Sequence, residues 1–205
     1  DWKNGVCSNC YFVCKHVYNN DADLDCNICD VTRKASVMNN GSFDAYMEGT
    51  DYRCNKAGQI PGGWYRGGSP AGENLGVYVT NMWSTDGDWS LRIEDDNASS
   101  AVSINNMITL PAATDTADRT VTFTCDYKVV GAVSMQIFVN GKVVVTKTIP
   151  QGTGTYTVST VVASDVTEVQ LKLSSANTSA GTVAFVDNLI CAVNGGENLL
   201  SAFNH

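Results

Sequence analysis

The 205-residue chain has little positive charge. It carries 13 Lys and Arg against 21 Asp and Glu, which gives a net charge of −8. Binding to nucleic acid or to an anionic membrane surface requires a basic footprint, so we expect neither partner. No apolar run approaches the roughly 20 residues of a membrane-spanning helix. The chain opens on "DWKNGVCSNC" rather than on a signal peptide, so we expect either a removed leader or a piece of a longer protein.

Histidine and catalytic motifs are also scarce. The two histidines are His16, inside a cysteine cluster, and His205, at the last position. Neither is well placed to act as the base of a Ser or Cys nucleophile. The glycine-rich stretch "IPGGWYRGGSPAG" lacks the GK[ST] of a phosphate-binding loop. A glycoside hydrolase needs only two carboxylates, but a solvated turn explains "EDD" at 94–96, the one dense acidic cluster of the predicted sandwich. The sequence favours a non-catalytic protein, with a small glycoside hydrolase as the alternative.

No apolar pattern keeps the helical period for three turns, whereas strand-like runs recur after residue 36. Examples are "TVTFTCDYKVV", "VSMQIFVN", "KVVVTKTI" and "EVQLKLS", with "VNGK" as a tight hairpin turn between two of them. Many short strands without helices predict an all-β, antiparallel sandwich.

Alternation along these strands assigns their two faces. In "VSMQIFVN", Val133, Met135 and Ile137 point to the core, which leaves Gln136 and Phe138 outside. In "EVQLKLS" the apolar positions leave Gln170 outside in the same way. One side of the sandwich is therefore expected to present amides, hydroxyls and an aromatic ring, as a sugar-binding face would.

Four motifs occur in a familiar order: "NNGSFD" (39–44), "IPGGW" (60–64), "DGDWSLRIE" (86–94) and "VAFVDNLIC" (183–191). Together they resemble the carbohydrate-binding modules of families four, nine and twenty-two. The resemblance covers about residues 36–193. It implies an antiparallel jelly-roll β-sandwich that binds polysaccharide or oligosaccharide without cleaving it, within a secreted or cell-surface multi-modular protein. Residues 194–205, with "ENLLSAF", would be a linker or the start of a following module of the same kind.

Asp187 interrupts the apolar run "GTVAFVDNLICAV", where burial of a carboxylate costs several kcal/mol unless it is paired. The family resemblance implies a structural calcium ion at this Asp. Asp44 and carbonyls of the "NNGSFD" loop could add the further oxygen ligands that calcium requires. The alternative is that Asp187 only accepts hydrogen bonds from loop amides.

Residues 1–35 contain five of the eight cysteines and are too short and polar to bury a core of their own. Cys7, Cys10, Cys26 and Cys29 have the CxxC…CxxC spacing of a structural zinc site, with His16 or Cys14 as alternate ligands. Disulfides are the competing prediction. "HVYNNDADLDCNICDVTR" resembles a small Cys/His-rich repeat of extracellular proteins from gut and rumen Firmicutes, although Asp30 stands where that repeat has Gly.

Sugar recognition combines aromatic faces with amides that read hydroxyls. The predicted contacts of the sandwich are Trp83, Trp64, Tyr65, Tyr78, Gln136, Phe138 and Gln170. Trp83, at a strand end among polar residues, is the favoured contact, whereas Trp64 could equally close one end of the sandwich. A surface adhesin or structural spacer that lost its sugar face is the alternative function.

Overall fold

The structure is a computed structural model of the whole chain. It describes residues 2–3, 6–7, 25–29, 36, 38, 40–44, 51–53, 61, 63–67, 76–95, 101–175 and 181–194. All regular elements within these residues are β-strands. The described part of the chain contains no helix long and apolar enough to cross a membrane.

Thirteen strands follow one another along the described chain. They are β1 (Trp2–Lys3), β2 (Val6–Cys7), β3 (Asp51–Arg53), β4 (Trp64–Gly67), β5 (Val77–Thr80), β6 (Ser90–Asp95), β7 (Ser103–Thr109), β8 (Arg119–Val130), β9 (Val133–Val139), β10 (Lys142–Ile149), β11 (Gly152–Val162), β12 (Glu168–Ser175) and β13 (Thr182–Asn194).

Two antiparallel sheets form the sandwich. One has five strands in the order β10-β9-β12-β7-β4, and the other has six in the order β11-β8-β13-β6-β5-β3. Neighbours such as β12 and β7, or β13 and β6, are far apart in the chain, so strands cross repeatedly between the sheets. This arrangement confirms the predicted all-β antiparallel jelly-roll sandwich. The β1–β2 pair stands outside both sheets, and the predicted metal-stapled segment to which it belongs falls mostly outside the described residues.

The core lies between the two sheets and follows the predicted alternation. Burial alternates strictly along β8 from Arg119 to Val129 and along the first five residues of β9. Val133, Met135 and Ile137 are each 0% exposed, whereas Gln136 and Phe138 keep part of their surface. The predicted hairpin is also present, because Asn140 and Gly141 have φ angles of 50° and 73°. Positive φ at both central residues is what a type I′ turn requires.

The segment 40–44 is tied to the last strand at the edge of this core. The amide of Leu189 donates to the carbonyl of Gly41 at 3.0 Å. A Cβ at Gly41 would lie 1.9 Å from the carbonyl oxygen of Leu189. Phe43, fully buried, packs against Trp64 with ring centroids 5.2 Å apart. The close backbone approach at Gly41 therefore requires a residue without a side chain.

We expect Gly41→Ala to lower the free energy of unfolding by about 3 kcal/mol, because the added methyl overlaps backbone that cannot move aside. Urea denaturation measures this difference. The neighbouring Ser42→Ala removes only a half-buried hydroxyl and should change stability by less than about 0.5 kcal/mol. Equal stability of the Gly41→Ala variant and the wild type would contradict the described contact.

Candidate functional site

The outer face of the five-stranded sheet carries a row of polar side chains. Strand register places Tyr65 of β4, Asn105 of β7, Lys172 of β12, Gln136 of β9 and Thr146 of β10 side by side. Neighbouring strands are about 4.8 Å apart, so side chains in such a row touch their neighbours. The row crosses the whole width of the sheet.

A second row lies beside the first one. It consists of Met107, Gln170, Phe138 and Val143 on β7, β12, β9 and β10. Met107 is 46% exposed, and Phe138 is half-buried. We call the surface formed by Tyr65, Asn105, Met107, Gln136, Phe138, Gln170 and Lys172 the amide face.

Hydrogen bonds orient the amides of this face. Gln170 Nε2 donates to Asn105 Oδ1 at 3.1 Å, and Gln136 Nε2 donates to Thr146 Oγ1 at 3.3 Å. Each bond uses one donor of an amide that has two donors and an acceptor, so both glutamines keep hydrogen-bonding capacity toward a ligand. Tyr65, 37% exposed, adds an aromatic group at one end of the face. Four of the seven predicted contacts, namely Tyr65, Gln136, Phe138 and Gln170, thus lie together.

Trp64 lies elsewhere, in the core. It is 6% exposed, its Nε1 donates to the carbonyl of Asn40 at 3.1 Å, and its ring packs on Phe43. The side chain closes one end of the sandwich, which was the alternative considered for it. A buried indole has no open face for a sugar ring, so Trp64 does not belong to a binding surface here.

Tyr78 and Trp83 are separated from the amide face, because Tyr78 lies on β5 of the six-stranded sheet and Trp83 in the loop between β5 and β6, packed on Phe185 of the same sheet. Register aligns Tyr78 with Arg92, Phe185 and Lys128 on the outer side of that sheet. The Arg92 guanidinium lies 5.3 Å from the centre of the Tyr78 ring and 5.9 Å from that of Phe185. Lys128 Nζ lies 5.9 Å from the Phe185 ring centre.

These aromatic rings already have partners. Trp83 packs on Phe185 with centroids 6.0 Å apart, and Phe185 is only 9% exposed. Arg92 also pairs with Glu94 at 3.0 Å. Cations over aromatic faces form favourable contacts of their own, which a sugar ring would have to displace. The role predicted for Trp83 and Tyr78 stays a prediction, but their surroundings are less open than the amide face.

Asp187 is paired by the loop of residues 84–89, which we call the clasped loop. Asp187 Oδ2 accepts hydrogen bonds from the amides of Thr85 at 2.6 Å and Asp86 at 2.9 Å, and from Thr85 Oγ1 at 3.2 Å. In register Asp187 opposes Asp126, whose side chain lies on the outer side of the sheet and also binds Thr85 Oγ1. Asp187 is therefore buried under a loop rather than between the sheets.

Asp44 binds the other end of the clasped loop. Its Oδ1 accepts hydrogen bonds from the amides of Asp88 and Trp89, both at 3.0 Å. Between the two ends lies Gly87, with φ 66°, where a Cβ would be 1.6 Å from Asp44 Oδ2. The two acids that were predicted to share a calcium ion thus hold one loop from both ends.

Loss of solvation disfavours the charge on both acids, although Asp187 is fully buried and Asp44 keeps an exposed side chain. Desolvation raises the pKa of Asp187 to about 7, although hydrogen bonds from loop amides act in the opposite direction. Desolvation of its carboxyl group likewise raises the pKa of Asp44 to about 7, against the amides of Asp88 and Trp89. Ionisation of the fully buried Asp187 near neutral pH therefore costs free energy that a nearby cation would offset.

Asp187 Oδ1 fits a bound cation. This atom is buried and has no hydrogen-bond partner, so it is the oxygen that a calcium ion could contact. No three His, Cys, Asp or Glu side chains converge as a metal cluster within the described residues. Apart from the second oxygen of Asp44, further ligands would have to be backbone carbonyls, which calcium accepts readily.

The predicted zinc ligands are only partly described. Cys26 is buried, and the amide of Ile28 donates to its Sγ at 3.4 Å. Cys29 is half-buried. Cys10, Cys14 and His16 lie outside the described residues, as does the side chain of Cys7. Zinc therefore stays a prediction.

Asn105 and Lys172 belong to the amide face but were not among the predicted contacts. Lys172 could have been found from the sequence, because it occupies an outward position of "EVQLKLS" two residues from Gln170. Asn105 could not have been found in this way, because "SINNMIT" does not alternate between apolar and polar residues. In the structure the residues from Ser103 to Asn106 are all buried. The hydrogen bonds from the clasped loop to Asp187 join residues about 100 positions apart, for which the sequence carries no local signal.

Comparison with solved structures places the fold among known sandwiches. A cyclase from Fischerella sp. TAU superposes with a TM-score of 0.57 at 11% identity, covering 78% of this chain and 97% of that one. The same cyclase in complex with 4-(1H-Indol-3-yl)butan-2-one also gives 0.57, at 13% identity, with 78% and 98% covered. A family 4 carbohydrate-binding module (CBM4) gives 0.51 at 18% identity, with 77% and 99% covered.

At these identities the likeness is one of fold alone. No protein-family model matches the chain, and no curated protein sequence matches it.

Asp187→Ala should lower the free energy of unfolding by about 2–3 kcal/mol, because the amides of Thr85 and Asp86 lose their buried acceptor. Denaturant unfolding in calcium-free buffer measures the loss. Asp165→Ala, which removes an exposed acid in a turn, is the matched control and should change stability by less than about 0.5 kcal/mol. If both variants unfolded at the denaturant concentration of the wild type, the clasped loop would not be held by Asp187.

Proposed function

We propose that the protein binds polysaccharide or oligosaccharide on the amide face without cleaving it. The observation that carries this proposal is the clustering of Gln136, Phe138 and Gln170 on adjacent strands, with Tyr65 beside them. Amides supply paired donors and acceptors for sugar hydroxyls. Phe138 and Tyr65 supply apolar surface for the C–H face of a pyranose. The family resemblance of the motifs and the shared fold of CBM4 support the same function.

The raised pKa of Asp187 and Asp44 would suit a general acid, and a cyclase shares the fold. Asp187, however, is 0% exposed, and one of its oxygens is occupied by loop amides. Asp44 Oδ1 is occupied in the same way. The two acids are engaged in holding the clasped loop, which favours a binding protein over a catalyst.

We further propose that the protein acts outside the cell or at its surface, within a multi-modular chain.

Phe138→Ala should weaken binding to the preferred polysaccharide about tenfold, because the aromatic contact at the centre of the amide face is lost. Affinity electrophoresis in gels containing single plant or bacterial polysaccharides identifies the ligand, and calorimetry then measures the loss. Trp83→Ala is the matched control, since it removes an aromatic ring that packs on Phe185 of the other sheet.

The two variants decide between the two surfaces. A loss with Trp83→Ala and none with Phe138→Ala would move the site to the six-stranded sheet. No retardation of the wild type on any polysaccharide would favour the spacer or adhesin, and release of reducing sugar would indicate an enzyme.

We also propose a structural calcium ion at Asp187 and a structural zinc ion in the N-terminal segment. For calcium the support is the buried Oδ1 without a hydrogen-bond partner, together with the cost of a buried carboxylate. Asp44 would contribute by fixing the far end of the clasped loop or by lending its second oxygen. For zinc the support is the spacing of Cys7, Cys10, Cys26 and Cys29. Either ion would stabilise the fold as a structural metal ion and would have no catalytic role.

Removal of calcium should lower the melting temperature by about 5–10 °C, the effect of a ligand present at about 100 times its dissociation constant. Calorimetry with EDTA and with added calcium measures this shift. Asp187→Asn keeps an acceptor for the loop amides but loses the charge, so its melting temperature should not respond to calcium. An unchanged melting temperature of the wild type would contradict the calcium ion. Elemental analysis of the protein before any EDTA treatment should find one zinc per chain.

A further inference from the structure

Lys172 stands at the centre of the amide face. Register places it between Asn105 on one side and Gln136 on the other, with Gln170 two residues away on the same strand. Leu171 and Leu173, on either side of it in sequence, are fully buried, so the Lys172 side chain must point away from the core. It is half-buried by its neighbours. The ammonium group is thus presented where a ligand lying across the strands would pass.

No acidic side chain pairs with Lys172 among the residues that the structure describes. Its neighbours in the row are neutral amides. The nearest outward acid on its own strand is Glu168, four residues earlier and about 13 Å away along the strand. Lys172 is the one cation in the two rows of the five-stranded sheet, whereas Arg92 on the other sheet is paired with Glu94 at 3.0 Å.

We infer that the amide face selects an acidic polysaccharide, with the ammonium of Lys172 binding the carboxylate of a uronic acid residue. This inference rests on the proposed function and adds the ligand class to it. The flanking amides of Gln136 and Gln170 read hydroxyls of the same sugar, and Asn105 orients Gln170 from below through Oδ1 of its buried side chain. Phe138 packs against the next residue of the polysaccharide. A hydrogen bond to a charged group is stronger than one between neutral groups, so the carboxylate carries the selectivity.

The overall charge of the protein disfavours binding of an acidic polysaccharide. A preference for such a ligand would therefore have to arise at the amide face itself. At a net charge of −8 the protein as a whole repels a polyanion. At physiological ionic strength that repulsion is screened beyond about 8 Å. A preference for an acidic polymer must therefore come from a cation in direct contact with it, and Lys172 is placed to make that contact.

The test compares polygalacturonate with the same polymer after chemical reduction of its carboxyl groups. The wild type should bind the acidic polymer about tenfold more tightly at 0.15 M salt, as expected for one charged hydrogen bond. Lys172→Gln should abolish this preference, so that the variant binds the acidic and the reduced polymer with equal affinity. Lys172→Arg should keep it. Lys128→Gln makes the same change of charge on the six-stranded sheet and should have no effect.

The outcomes separate this inference from the proposed function. Equal binding of both polymers, an unchanged preference in Lys172→Gln, or an equal loss in Lys128→Gln would overturn the role of Lys172 and leave sugar binding intact. No binding of the wild type to any polysaccharide would overturn the proposed function and the inference together.

Discussion

The carboxylates of Asp187 and Asp44 hold one loop, and the outer side of the six-stranded sheet depends on this contact. The clasped loop follows β5 and precedes β6, while Asp187 comes from β13 and Asp44 from a segment before β3. Parts of the chain that are far apart in sequence are thus joined by amide-to-carboxylate hydrogen bonds, which are stronger than neutral ones. Their cost is the desolvation of two acids, which raises the pKa of both.

The outer faces of the two sheets differ in how their side chains are used. On the six-stranded sheet the outer residues are engaged with one another, as in the stack of Arg92 on Tyr78 and Phe185 and in the clasped loop. On the five-stranded sheet the outer residues form rows of amides whose bonds to neighbours leave donors and acceptors for a ligand. The six-stranded sheet thus uses its outer side chains mainly for contacts within the fold, whereas the amide face keeps hydrogen-bonding groups that suit it to binding.

Sequence reasoning predicted the fold and part of the candidate site. Alternation of apolar and polar residues along β8, the first five residues of β9 and the first six of β12 gave the correct inward and outward side chains. The reason is that each of these strands has one apolar face. Alternation failed for Asn105, since polar residues in β7 are buried on both sides. For Asp187 the sequence offered calcium or hydrogen bonds from loop amides, and the loop amides of Thr85 and Asp86 do bind it. The sequence did not reveal that the Asp187 side chain lies on the outer side of the sheet. Loop coverage is a tertiary effect that periodicity does not report. The sequence also did not reveal that Trp83 and Gln136 lie apart, because composition does not tell which sheet a strand joins.

Amide hydrogen exchange measured by NMR tests the clasp most directly. If the carboxylates of Asp187 and Asp44 hold the loop, the amides of Thr85, Asp86, Asp88 and Trp89 should exchange as slowly as amides of the central strands. Exchange of these four amides at the rate of an unstructured loop would contradict the account.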